Sequence, residues 1–140
     1  MLASDSKAIS QFINRSLANE DIVLKSRGEQ QYSFCYVADA VSGILTVLTR
    51  GMCGEAYNIS DERSNIRLKD LAQMVAEIRG NQVVFEVPDE NEAKGYSKAT
   101  KALLDNTKLR RLGWQPHYEL ATGLKRTVDI LTAIKQEESS

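Results

Sequence analysis

From residue 5 to residue 87 the hydrophobic period switches repeatedly between that of a helix and that of a strand, and this alternation restricts the fold more than any other feature. Ile9, Phe12, Ile13 and Leu17 fall at i, i+3, i+4 and i+8, the stripe of an amphipathic helix that Asp5 or Ser6 can cap. Residues 21–26 are apolar but too few for a helix and read as a strand, with a turn at Gly28. The aromatic-rich stretch 32–36 is read as extended. Val37, Ala40, Val41, Ile44, Leu45 and Leu48 line one face of a second helix, and Gly51 sits where a helix end wants a left-handed residue. Residues 54–60 read as a buried strand running into a polar loop at 61–65. Leu68, Leu71, Ala72, Val75 and Ile78 give a third helix stopped by Gly80, and residues 83–87 give a strand stopped by Pro88. This alternation points to an α/β architecture, and the connection lengths suit parallel pairing.

Beyond Pro88 the pattern changes. Residues 89–102 are polar and without period, a long loop of the kind that is functional or disordered. A short helix over 106–112, a turn at Gly113-Trp114-Gln115-Pro116 and a last helix from near Tyr118 follow, the helix carrying Leu120, Leu124, Val128 and Leu131 on one stripe. The expectation is about five helices and three or four short strands in one portion, 1–135, with a polar tail at 136–140.

Several kinds of chemistry are missing. The 18 Lys and Arg against 19 Asp and Glu leave a net charge of −1, no global field for a nucleic-acid backbone, so nucleic acid is not an expected partner. No apolar run approaches the roughly 20 residues of a membrane span, and the first ten residues hold no signal-peptide core, so a cytoplasmic chain with no membrane partner is expected. Cys35 and Cys53 form no C-x-x-C pair and read as buried thiols, and with His117 the only histidine no zinc site is expected. His117, after a proline turn, reads as a capping or surface residue. Asp89, Glu90 and Glu92 read as solvated loop charges. None of the eight glycines falls into G-x-G-x-x-G or a P-loop, and Gly51-Met-Cys-Gly54 joins a helix to a strand, the reverse of a phosphate cradle.

One ordered constellation is more specific. Ile22-Val-Leu-Lys-Ser26, Gly28, Ser33-Phe-Cys-Tyr-Val37, Asp39, Gly54-Glu-Ala-Tyr-Asn-Ile-Ser60, Leu103-Leu-Asp-x-x-Lys-Leu109, Leu112-Gly-Trp114 and Pro116 together resemble the C-terminal half of the extended short-chain dehydrogenase/reductases. These are the NAD-dependent nucleotide-sugar epimerases and dehydratases of carbohydrate biosynthesis. The resemblance spans roughly 6–131. Glu92-Ala-Lys-Gly-Tyr-Ser97 is similar to a subset of bacterial members associated with surface polysaccharides. The resemblance implies that an N-terminal Rossmann portion holds NAD and the catalytic Tyr-x-x-x-Lys, while the C-terminal portion holds a nucleotide diphosphate sugar. No tyrosine here has a lysine four residues on, so the resemblance implies a fragment without NAD or catalytic residues of its own, partnered by the missing Rossmann half.

By the same resemblance, the strand 22–26 lines the nucleotide's base and ribose, nominating Val23 and Lys25. Asn58 of Tyr-Asn-Ile approaches the sugar or phosphate side, an amide offering both donor and acceptor. Where the family has a diphosphate-binding arginine this chain has Tyr32, which lacks the charged fork of a guanidinium. A second family arginine falls near Gly95 and is also missing, which leaves Tyr96 and Lys98 as nominees and Arg27, Lys94 and Lys101 as point charges nearby. From 94 to 111 six basic residues face one acid, Asp105, a local excess of +5.

Each nominee has a plainer reading. Val23 reads equally as core, Asn58 as bonding its own backbone, and Tyr32 and Tyr36 as packing aromatics. Asp39 suits a helix dipole, Trp114 a turn anchor, and the lysines a solvated loop. The expected function is the nucleotide-sugar-binding fragment of an NAD-dependent epimerase or dehydratase, inert without its Rossmann half. The alternative is a non-catalytic binding or interaction module that kept the scaffold. Strand edges that normally flank a Rossmann sheet would be exposed, which favours homo-oligomers.

Overall fold

The alternating periods resolve into α1 (Ala8–Leu17), β1 (Ile22–Leu24), β2 (Gln31–Ser33), α2 (Val37–Arg50), a 3-10 turn (Glu62–Ser64), β3 (Asn65–Arg67), α3 (Leu68–Arg79), β4 (Val83–Phe85), β5 (Lys101–Ala102), α4 (Thr107–Arg110) and α5 (Leu120–Glu138). The structure, a computed structural model, describes Asp5 and residues 7–86 and 101–138. The architecture is α/β, as the sequence implied.

The apolar stripes of α1, α3 and α5 converge on β1. Ile13, Ile22, Leu71, Val75 and Val128 are each at most 2% exposed, and Phe12, Leu24 and Leu124 close the cluster. Full burial of such a side chain is worth roughly 1.5–3 kcal/mol before ordering costs, so this cluster is the main source of stability. β1 pairs with β4 in parallel, Ile22 with Val83 and Leu24 with Phe85, as the connection length suggested. A second sheet has β2 at its centre, antiparallel to β3 and parallel to β5. The turn before β2 is locked to the start of α3: Leu68 N donates to Gln30 O and Lys69 N to Gly28 O. Gly28 adopts φ 67°, and a Cβ there would stand 2.7 Å from Lys69 Cβ, so the sequence uses the one residue that fits.

The apolar stripe of α2 stays outside this core and faces solvent. Three expectations are corrected. Residues 54–60 form no ladder, because no strand among the described residues lies beside them; Ser60 is buried, Tyr57 and Ile59 are half-buried and the rest are exposed. Gly51 is extended, at φ −69° and ψ 151°; the left-handed glycines are Gly28, Gly54, Gly80 and Gly113. Cys53 is exposed and Cys35 half-buried, and both thiols are free. Smaller shifts concern ends: β3 forms where a loop was expected, α5 starts at Leu120, and it runs on to Glu138 through most of the expected tail. Asp5 stands just outside α1, accepting from Lys7 N and Ser10 Oγ, while Ser6 lies outside the described residues.

Candidate functional site

The two sheets meet the segment 87–100 from either end. β4, which leads into it, pairs with β1, and Glu86 N donates to Leu24 O at 2.9 Å. β5, which leads out of it, pairs with β2, Gln31 opposite Lys101 and Tyr32 opposite Ala102. The described residues on either side of 87–100 therefore lie beside β1, which carries Val23 and is followed by Lys25, and beside β2, which carries Tyr32. Tyr96 and Lys98, with Lys94, belong to this segment and lie outside the described residues. Val23 alternates with the buried Ile22 and Leu24 and is half-buried, on the face of β1 away from the core, and Lys25 is exposed. Tyr32 is half-buried, its ring edge-on to Phe34 with centroids 6.4 Å apart.

Short polar side chains strap residues 102–106 to the rest of the chain. Leu104 N donates to Ser33 Oγ at 2.8 Å, and Ser60 Oγ donates to Leu104 O at 3.1 Å. Asn106 Nδ2 donates to Ser60 O at 2.6 Å. Asn58 belongs to the same strap: its Nδ2 donates to Asp105 O at 3.0 Å, so its bond is to a distant carbonyl and not to its own backbone. The strap thus ties Asn58 to residues that follow β5, the strand paired with that of Tyr32, while Val23 lies in β1 and Lys25 just after it. Of the basic excess, Lys108 pairs with Glu55 and lies 4.8 Å from the centroid of the Tyr57 ring. That lysine holds the Glu55 carboxyl below its usual value.

Two buried carboxylates, one of them outside the sequence reading, organise the opposite side. Asp39, 2% exposed, accepts from His117 N at 3.0 Å and Tyr118 N at 2.8 Å. Trp114 Nε1 donates to Ser42 Oγ at 2.9 Å one turn further along α2, so the turn 113–116 is clamped by its aromatic anchor. The His117 side chain is exposed, its Nδ1 3.6 Å from Asp39 Oδ1. Asp61, which hydropathy placed in a loop, accepts from Arg63 N, Nε and Nη2 at 2.9–3.0 Å, and Arg63 reaches Pro116 O. Only its burial distinguishes it from a solvated loop acid, and burial is not a local property.

A dinucleotide's phosphates would sit at the start of a helix that follows a strand, here α2 or α3. Their first turns carry Asp39 and Asp70 and no glycine, which denies a phosphate close backbone approach. Neither helix start fits the pyrophosphate of NAD. Among the described residues an apolar cavity of about 340 Å³ lies between α1, α5 and the start of α2, lined by Ile13, Phe34, Cys35, Tyr36, Val37 and Leu124. Val23, Lys25, Tyr32 and Asn58 do not line it. Burial, with Asp39 and Asp61 nearby, pushes the Cys35 thiol up to about 11, so it is not a nucleophile at neutral pH.

Known proteins resemble the chain in sequence and in fold. Residues 2–60 match the model of the NAD dependent epimerase/dehydratase family. Mouse dTDP-D-glucose 4,6-dehydratase is 32% identical over 126 residues, covering 88% of this chain and 35% of that protein. The crystal structure of UDP-glucose 4-epimerase from Thermotoga maritima with UDP-glucose superposes with a TM-score of 0.78 at 30% identity, covering 92% of this chain and 40% of the epimerase. The dTDP-glucose 4,6-dehydratase of Bacillus anthracis, solved with NAD, shares the fold at 21% identity and a TM-score of 0.76. The chain spans 35–40% of the length of these relatives. Membership is carried jointly by the ordered motifs, the matched fold and these likenesses: the chain belongs to the NAD-dependent epimerase/dehydratase family of extended short-chain dehydrogenase/reductases, and corresponds to its C-terminal part.

Proposed function

We propose that these residues are the nucleotide-sugar-binding part of an NAD-dependent epimerase or dehydratase, and that alone they bind but do not turn over substrate. What supports the reading is that β4, paired with β1, and β5, paired with β2, bracket residues 87–100 along the chain, so that Val23 and Tyr32 lie in the strands paired with the two flanking strands; Lys25, Tyr96 and Lys98 are assigned from the sequence. On this reading Val23 offers an apolar surface to the base, while Lys25 and Lys98 supply point charges for the diphosphate. Tyr32 gives a neutral donor where a guanidinium would give a bidentate charged one, so affinity for the diphosphate is weaker than an arginine would give. Asn58, an exposed residue, acts through the strap. NAD, the Tyr-x-x-x-Lys pair and the hydride step belong to the Rossmann half, and a cytoplasmic setting follows from the solubility of such substrates. No helix among the described residues is long and apolar enough to cross a membrane.

Calorimetric titration of the chain with UDP and dTDP, and absorbance at the NADH band after adding NAD with UDP-glucose or dTDP-glucose, test this directly. Nucleotide binding weakened about tenfold by Tyr32→Ala, with no NADH formed, is the expected result, a tenfold loss being about 1.4 kcal/mol. A folded chain that binds neither nucleotide supports the interaction module instead, and turnover by the chain alone overturns the proposal.

A further inference from the structure

Residues 61–63, α4 and the turn at 115–116 enclose a small polar cavity of about 190 Å³, set apart from the apolar cavity beside α1. One wall of it is already neutral. Arg63 donates from Nε and Nη2 to Asp61 at 2.9–3.0 Å and from Nη2 to Pro116 O at 3.1 Å, and the Asp61 carboxylate holds this guanidinium above its usual value. The fork of Arg63 is thereby occupied by the chain itself and fixes the rim of the cavity.

Other polar groups around the cavity lack such partners. Glu62 and Arg110, both exposed, line it with opposite charge, yet among the described residues neither forms an ion pair, with the other or with any third group. Asn106 lines it too, and is 2% exposed. Its Nδ2 donates to Ser60 O at 2.6 Å, which fixes the amide, and its Oδ1 is buried with no hydrogen-bond partner. Folded chains rarely leave a buried acceptor in that condition, because its lost hydration is not replaced. Gln115 adds an exposed amide that offers both a donor and an acceptor.

We propose that this cavity binds a small α-amino acid as its zwitterion, with the carboxylate on the Arg110 guanidinium and the ammonium donating to Glu62 and to Asn106 Oδ1. The balance of charge selects this class. Asp61 offsets Arg63 and Glu62 offsets Arg110, so a plain anion meets Glu62, a plain cation meets Arg110, and neither finds a net field to hold it. A zwitterion answers both walls at once. Size limits the side chain: about 190 Å³ is the liquid volume of about six water molecules at ~30 Å³ each, room for glycine, alanine or serine and not for an aromatic amino acid. Asn106 also ties the strap to Ser60, so ligand and strap share one side chain. The site stands independently of the nucleotide-sugar reading, since Val23, Lys25, Tyr32 and Asn58 do not line it.

The test titrates the isotope-labelled full chain with L-alanine and follows it by NMR. Saturable shifts are expected at the backbone amides of Glu62, Arg63, Arg110 and Gln115 and at the side-chain amide of Asn106, with a Kd on the order of 1 mM. Propionate, which lacks the ammonium, and ethylamine, which lacks the carboxylate, are each expected to bind at least about tenfold more weakly. Glu62→Gln and Arg110→Gln are each expected to weaken L-alanine about tenfold and to leave Tm within about 2 °C of the parent, both side chains being in solvent. Arg110→Lys keeps the charge without the fork and is expected to fall between parent and Arg110→Gln. No saturable shift up to about 50 mM L-alanine overturns the proposal, as do shifts that leave the Asn106 side chain unmoved. Propionate bound as tightly as L-alanine makes the cavity a plain anion site and overturns it too, and so does equal affinity for L-alanine in the parent and both glutamine variants.

Discussion

Asp39 stands in the first turn of α2, where its charge complements the helix dipole, but its larger role is to accept the backbone N–H groups of His117 and Tyr118 while 2% exposed. Asp39→Ala leaves both donors unpaired in a buried place, at a cost of about 3 kcal/mol. A fall of roughly 10 °C in Tm by calorimetry is expected for a chain of this size. Asp39→Asn is expected to recover little, because an amide presents one acceptor and turns a donor toward the second N–H. Cys35 shows how burial governs reactivity. With its thiol pushed up from 9.0 to about 11, it holds about a hundredfold less thiolate than an ordinary cysteine at neutral pH. Timed alkylation followed by peptide mapping is expected to label exposed Cys53 first, and equal labelling of both sites contradicts the packing around Cys35. At Glu29 the Lys69 ammonium, 2.6 Å away, holds the carboxyl below its usual 4.5. A folded-state value lowered in this way contributes stability that is present above 4.5 and lost as the pH falls through the lower folded value. Glu29→Gln is accordingly expected to lower Tm slightly above pH 4.5 and to converge with the parent as the pH falls below it, the effect being small because the pair is exposed.

At the scale of elements, contact between α5 and the strand-to-helix corner depends on Gly123. A Cβ there would stand 2.8 Å from Tyr36 Cδ2, and the Tyr36 ring packs against Tyr118, with centroids 4.8 Å apart. Gly123→Ala gains about 1 kcal/mol of helix propensity, yet the added methyl also stands 3.3 Å from Tyr36 Cγ and 3.4 Å from its Cβ, so rotation of the ring alone does not relieve the contact. The clash is expected to win, lowering Tm and raising exchange at residues 120–128; an unchanged or raised Tm refutes this account of the corner. The helices α1, α2 and α3 were legible from residues 9–17, 37–48 and 68–78 because an amphipathic period is written locally, whatever the stripe later meets. β3 and β5 were not. Two or three residues long, they exist only because β2 lies between them, and so few residues carry no period. The opposite error at 54–60 has the same cause: strand-forming residues make a strand only when another edge is present.

For the whole molecule, the nominated residues were found through order and spacing of motifs, and the topology places Val23 and Tyr32 in the strands paired with the two that flank residues 87–100. Nothing local in the sequence indicated that Asn58 would reach Asp105, 47 residues away, or that Asp61 would be buried against Arg63. The balance of 18 basic and 19 acidic residues likewise hid the placement of charge, since Lys108, Lys69 and Arg63 are each paired with an acid. By itself the sequence determined the α/β alternation, the helical stripes and the family resemblance, because periods and motifs are properties of neighbours along the chain. Only the tertiary structure decided which stripes are core. Those of α1, α3 and α5 close on β1, whereas α2, equally amphipathic, is turned outward by Asp39, Ser42 and Gly43. The physical reason is that the hydrophobic effect fixes how much apolar surface must be covered but carries no direction, and what covers it depends on the partner surface within reach.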